Sequence, residues 1–262
     1  MGARELLQAG QLDAAIEAAI QDVKAATGDT RSRIFLFELL AAAGDFERAR
    51  KHLDVVSDQA PEMADGVRSY LGLLEAEVAR AALFAKGAGS PQRMTRHALD
   101  PEPHLTALRR LRAGAAAEAA ALLEQAAAAR APRPGAVDGR HFDDFRDADD
   151  VLAPYLEVFA NGLYGWIPFD QIQKLAFEAP RYFRDLLWRP VTVTLTTEES
   201  SAMLVPVRYA GSESRSDDQL RLGRATDWED AGGVVIGLGQ RVFVAGDESC
   251  ALLEVVEISF DA

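Results

Sequence analysis

The sequence predicts an α+β protein with a helical repeat region over residues 1–130, a linker at 131–140 and a smaller, mostly β region over 141–262. Three observations carry this reading. A glycine-centred phrase recurs at a fixed interval in the first part. Residues 131–140, APRPGAVDGR, hold two Pro and two Gly with no apolar period, which marks a boundary. Beyond Pro190, VTVTLTTEE alternates as a half-buried strand does.

The recurring phrase is small-Gly-x-apolar-acidic-x-Ala. It appears at Ala9–Ala15 and again at Ala43–Ala49, 34 residues later, which is the tetratricopeptide period. Ala113-Gly114 gives a third copy close to two periods further on. The Gly ends one helix and permits a tight turn. The Ala lets the paired helices approach closely. In the second copy Leu36 and Leu40 share one side of the first helix, and Ala49, Leu53 and Val56 share one side of the second. Pro61 stands where such a repeat ends. Glu62 to Phe84 reads as a helical unit without the phrase, and 113–131 is a helix pair rich in Ala.

Stacked helix pairs leave a concave groove lined by the first helix of each pair. Projected from the repeat frame, its positions are Arg31, Ile34, Glu38, Ala41 and Ala42 in the second copy, and His104, Leu108, Leu111 and Arg112 in the third. A partner's amphipathic helix would set apolar anchors against Ile34, Leu108 and Leu111, with Arg31, Glu38 and Arg112 fixing register. The competing reading is that the chain's own downstream part fills the groove.

In the second region, HFDDFRDADD places five Asp between Asp143 and Asp150. It lacks the spacing of a calcium loop, and reads instead as the acidic start of a helix over Val151–Phe159. Asn161 to Trp188 sets Tyr164, Trp166 and Phe169 beside Gly165 and Pro168, which suggests a packed corner. A helix carrying Arg184–Trp188 would stop at Pro190. Strands follow at 191–199 and at 203–209, where Pro206 suggests an edge or a bulge. A Gly-rich corner at 232–239 and a last strand in LLEVVEISF close the chain.

The totals exclude several classes. Of 262 residues, 48% are hydrophobic and 26% charged, which suits a folded globular chain. A net charge of −13 argues against nucleic acid as partner. No run reaches the ~20 apolar residues a membrane helix needs, and the N-terminus lacks the apolar core of a signal peptide. The single Cys250 fits a reducing compartment and a small buried hydrophobe. The expected location is therefore cytoplasmic.

The sequence offers no catalytic constellation, cofactor motif or metal set. There is no GxSxG elbow, and Cys250 has no His near it in sequence. His52, His97, His104 and His141 are scattered, with none paired at i, i+4, and read as surface or capping residues. Gly232–Gly239 has neither a GK[ST] ending nor GxGxxG spacing before a helix, so it reads as strand turns. Trp166, Trp188 and Trp228 could anchor a partner; core and joint packing is the preferred account.

The phrases FLFELLAAAGDFERARKHLD, NGLYGWIPF, RDLLWRP, VPVRYAGSE and GLGQRVF occur in this order. That set resembles the ImpE/SciE family, also called TagJ, of accessory proteins in type VI secretion gene clusters. The resemblance implies a non-enzymatic cytosolic adaptor. It would bind the N-terminal helix of the small sheath subunit and link the contracted sheath to its AAA+ recycling ATPase. It supplies no catalytic residues. Two alternatives stand beside it: a general repeat scaffold, and a small-ligand or enzymatic C-terminal module on a helical handle.

Overall fold

The protein is represented by a computed structural model that describes residues 1–95 and 99–261. Among the described residues, seven helices come first: α1 (Ala3–Gln8), α2 (Leu12–Ala25), α3 (Thr30–Ala42), α4 (Phe46–Gln59), α5 (Ala64–Lys86), α6 (Glu102–Arg112) and α7 (Ala116–Ala129). The repeated glycines do one job three times. Gly10, Gly44 and Gly114 adopt φ of 75°, 75° and 78°. At each, the glycine N–H and the following N–H turn back onto helix carbonyls: Gly44 to Ala41 and Asp45 to Leu40, with the same pattern at Leu7 and Leu6, and at Leu111 and Arg110. This closes the orphan C-terminal carbonyls in a left-handed turn. The Ala-rich third copy therefore closes α6 with the same turn. Asp45 then caps α4 by accepting the Arg48 N–H. The unit without the phrase is one long helix, α5, opened by a 3₁₀ turn at Pro61–Met63.

The strands are β1 (Gln92–Arg93), β2 (Gly135–Val137), β3 (Arg140–Phe142), β4 (Phe145–Asp147), β5 (Tyr155–Ala160), β6 (Leu163–Pro168), β7 (Ile172–Phe177), β8 (Trp188–Leu195) and β9 (Ser200–Pro206). After a one-turn helix α8 (Asp218–Arg221) come β10 (Thr226–Asp230), β11 (Val235–Gly239), β12 (Val242–Ala245), β13 (Glu248–Ala251) and β14 (Glu257–Phe260). Nine strands form one sheet in the order β1-β6-β5-β9-β8-β7-β14-β2-β3, beside a three-stranded sheet β13-β12-β4 and a ribbon β10-β11. Phe142, Phe145, Phe169, Phe243 and Phe260 pack together in the β core. The fold is α+β, as the sequence predicts, but several elements differ.

Val151–Phe159 is not a helix. The Asp149 carboxylate accepts the N–H groups of Val151 and Leu152, winding a tight turn, and Tyr155–Ala160 continues as β5. The β-favouring Tyr, Val and Phe outweigh the dipole argument. The Arg184–Trp188 helix shrinks to a 3₁₀ turn at Phe183–Leu186, and Pro190 lies inside β8. Its carbonyl accepts from the Glu178 N–H just past the end of β7, so its missing N–H costs one bond at a strand end. Pro206 ends an interior strand, β9, and is neither at an edge nor in a bulge. The 161–188 segment is mostly strand. Asn161 (φ 52°) and Gly162 (φ 75°) form the two-residue turn joining β5 to β6.

The segment read as a linker carries β2 and begins β3. Arg133 pins it further, donating to the carbonyls of Ile172 and Asp261 at 2.7 Å each. One hydrophobic core runs from the helices into the β region, holding Leu36, Phe37 and Leu108 together with Tyr155, Trp166 and Trp188.

Candidate functional site

The concave side of the helices is closed by the chain itself, through buried charges on both parts. Arg80 on α5 donates from Nε and Nη2 to the two carboxylate oxygens of Glu157 on β5 at 2.9 and 3.0 Å, and from Nη2 to the Arg208 carbonyl at 2.7 Å. Arg241 donates to Asp147 and Glu157 with no side chain of the three reaching solvent. Tyr164 donates to Glu157 and Tyr209 to Asp147. Trp188 stacks on Phe37 and donates its indole N–H to Glu77 at 2.7 Å. Arg208 donates to the Ala42 carbonyl at 2.6 Å. Burial by itself raises Glu157, but the Arg80 and Arg241 guanidiniums outweigh it and hold the carboxyl at about 2. Burial and then the Asp147 carboxylate push Asp149 up to about 7, although it accepts the Gly237, Val151 and Leu152 N–H groups. The gap bordering Arg80 and Glu77 measures about 10 Å³, room for a single water at most. This cluster is a joint; a substrate has no way in.

The residues projected onto the groove do not form one open surface. Glu38 is 5% exposed and paired with Arg184 at 2.8 Å, with burial raising its carboxyl against that guanidinium. His104 and Leu108 are buried, and Ala41 and Ala42 are fully covered. Ile34 and Leu111 are half-buried. Only Arg31 and Arg112 are exposed. Arg31 borders a cavity of about 420 Å³ shared with Arg4, Ser32 and Phe35.

His104 departs from a surface role: its Nδ1 lies 2.9 Å from the Val151 carbonyl and its ring meets Tyr155 edge-on. His141 is exposed, His52 half-buried, and His97 lies outside the described residues. Trp166 and Trp188 are core residues, while Trp228 is 42% exposed. Cys250 is buried. Gly232 and Gly233 form the turn of the β10–β11 ribbon, pressed against Ala116 and Ala120 of α7. Among the described residues, no group of three or more His, Cys, Asp or Glu side chains is gathered as a metal ion requires, and no helix is long and apolar enough to cross a membrane.

What stands open is a groove of about 570 Å³ between α6–α7 and the β region. Leu123, Ala126 and Ala127 of α7 form one wall; Pro154, Tyr155 and Val234 form the other. His104 of α6 also lines it, together with the charged residues Asp100, Glu124, Asp150, Arg130 and Arg146. Its walls are mostly small or apolar, so it can receive bulky side chains from another chain. The visible signal for it was the alanine run of α7, which reads as a regular helix pair until a β ribbon is laid beside it.

The architecture defines a class: a tetratricopeptide-type helical region closed onto a β module. A tetratricopeptide repeat family model matches residues 6–68, and the ImpE protein family model matches residues 139–259. A Pseudomonas aeruginosa protein, the type VI secretion system accessory component TagJ, is 38% identical over 261 residues, covering 100% of this chain and 92% of that protein. A crystal structure of a Vibrio parahaemolyticus protein superposes with a TM-score of 0.92 at 25% identity, covering 99% of this chain and 97% of that one. The chain belongs to the ImpE/TagJ family.

Proposed function

We propose that this protein is a cytoplasmic adaptor of a type VI secretion system that works by recognition, without covalent chemistry or a cofactor. The P. aeruginosa relative, named as an accessory component of that system, supports the setting. Residues 1–130 and 141–262 act as one body, and the partner docks in the groove between α6–α7 and the β region. The observation that carries this reading is the contrast between two surfaces. The concave face expected to take a partner is filled in cis, whereas the groove beside α7 is open over about 570 Å³. Its occupant is the N-terminal helix of the small sheath subunit, and the adaptor links the contracted sheath to its AAA+ recycling ATPase. An amphipathic helix in an apolar groove uses a recurring mode of recognition.

The test is a pull-down of the chain with that N-terminal peptide. Ala127→Glu puts a charged side chain on the groove wall at an exposed helix position and should abolish capture. A second reading keeps the partner at the cavity beside Arg31 and Phe35. In that case Arg31→Glu abolishes capture and Ala127→Glu does not.

A further inference from the structure

We propose that the groove selects its occupant through His104: the docked helix must present an N–H or O–H donor to Nε2 of this imidazole among its apolar anchors, with a basic flank toward Glu124. This rests on the groove being the partner site. His104 is 5% exposed, and its Nδ1 sits 2.9 Å from the Val151 carbonyl. A carbonyl only accepts, so Nδ1 carries the proton. Burial lowers the imidazole's pKa, so the ring is neutral and Nε2 keeps its lone pair. That nitrogen has no partner among the described residues, and His104 lines the groove. Tyr155 cannot satisfy it, because its hydroxyl is committed to the Asp100 carbonyl at 3.1 Å. A purely apolar occupant would seal Nε2 away unpaired; one carrying a donor would complete it. A missed buried acceptor is penalised more heavily than a lost apolar contact, so the imidazole discriminates among helices of similar hydrophobicity.

The rim adds sign. Arg130 is engaged by Asp144, and Arg146 lies 4.0 Å from Asp150. Asp100 pairs with Arg93 at 3.6 Å, which leaves Glu124 as the rim carboxylate with no ion pair among the described residues. The charge left over is negative, which favours a basic flank on the partner.

The experiment is a calorimetric titration of the full chain with the sheath-subunit peptide. A set of its variants, each replacing one Ser, Thr, Asn, Gln, Lys or Arg by Ala, is titrated in parallel. Each peptide meets wild type, His104→Leu and His104→Gln, which returns an acceptor near Nε2. The expected result is one peptide position whose loss weakens binding to wild type about tenfold, or ~1.4 kcal/mol. The same loss should have no further effect on His104→Leu, and should recover on His104→Gln. If every substitution costs the same on wild type and His104→Leu, His104 selects nothing and the proposal is overturned. Should His104→Leu not fold, His104→Asn serves, since its amide can still donate to Val151 yet places no atom at Nε2. Ala127→Glu separates the two levels. If it abolishes binding while His104 shows no coupling, only this selection fails; if it changes nothing, the groove reading fails with it.

Discussion

The guanidinium of Arg80 and the carboxylate of Glu157 meet through two hydrogen bonds, of 2.9 and 3.0 Å, where α5 lies against β5, and neither side chain is more than 6% exposed. Two buried charges so placed join the helical and β regions. Removing one strands the other in a low dielectric, which costs about 3–5 kcal/mol. Glu157→Gln should therefore lower the urea midpoint sharply, and Arg80→Met should do nearly the same. The double variant should fall well short of the sum, because the groups form one unit. Strictly additive losses would show that the pair is not coupled.

The backbone contact beside this pair is also testable. A methyl at Gly72 in α5 would stand 3.1 Å from the Gly162 Cα in the β5–β6 turn, while at Gly66 in the same helix it would meet nothing within 4 Å. Gly72→Val should destabilise by about 1–3 kcal/mol through overpacking. Gly66→Ala should be neutral or stabilising by up to about 1 kcal/mol, from helix propensity alone. Equal effects of the two, measured by thermal denaturation, would remove the close approach from the account.

Much of the helical region was legible because its signals are local. The Gly10, Gly44 and Gly114 turns follow from one residue with positive φ and its neighbours. The losses fell where long-range contacts decide. Asp149 looks like the acidic first turn of a helix until Gly237, 88 residues away, donates to it. Pro190 looks like a helix stop until β9 pairs alongside it. Glu38 and Leu108 look like groove residues until Arg184 pairs with the first and the core shared by both regions takes in the second. The alanine run of α7 is the local trace of the groove beside it, but the ribbon residue Val234 on the opposite wall lies more than 100 residues downstream and has no local signal.

Two buried carboxyls set opposite pH limbs. Glu157 is held at about 2 against an ordinary 4.5, so the stability it adds is full above about 4.5 and is lost as pH falls toward 2. Asp149 is pushed up to about 7 from 3.8, so its contribution is full below about 3.8 and is lost as pH rises through 7. The urea midpoint should peak near pH 4–5. Asp149→Asn should lower it throughout and flatten the limb between pH 4.5 and 7. A wild-type limb that rises across that range, and is untouched by Asp149→Asn, would place the proton elsewhere.

Trp188 gives a probe of the joint. Trp188→Phe keeps the stacking on Phe37 but loses the indole donor to Glu77, leaving a buried carboxylate oxygen short of a partner. The expected cost is about 1–3 kcal/mol, read from the urea midpoint. No change would mean that Arg80, 3.5 Å from Glu77, already satisfies that carboxylate.

The most direct measurement of where the partner sits is amide hydrogen exchange on the full chain, with and without the sheath-subunit N-terminal peptide. The expected result is slowed exchange in Glu102–Arg112, Ala116–Ala129 and the residues around Tyr155 and Val234, with Thr30–Ala42 unchanged. Slowed exchange confined to Thr30–Ala42, with the α7 groove untouched, would contradict it.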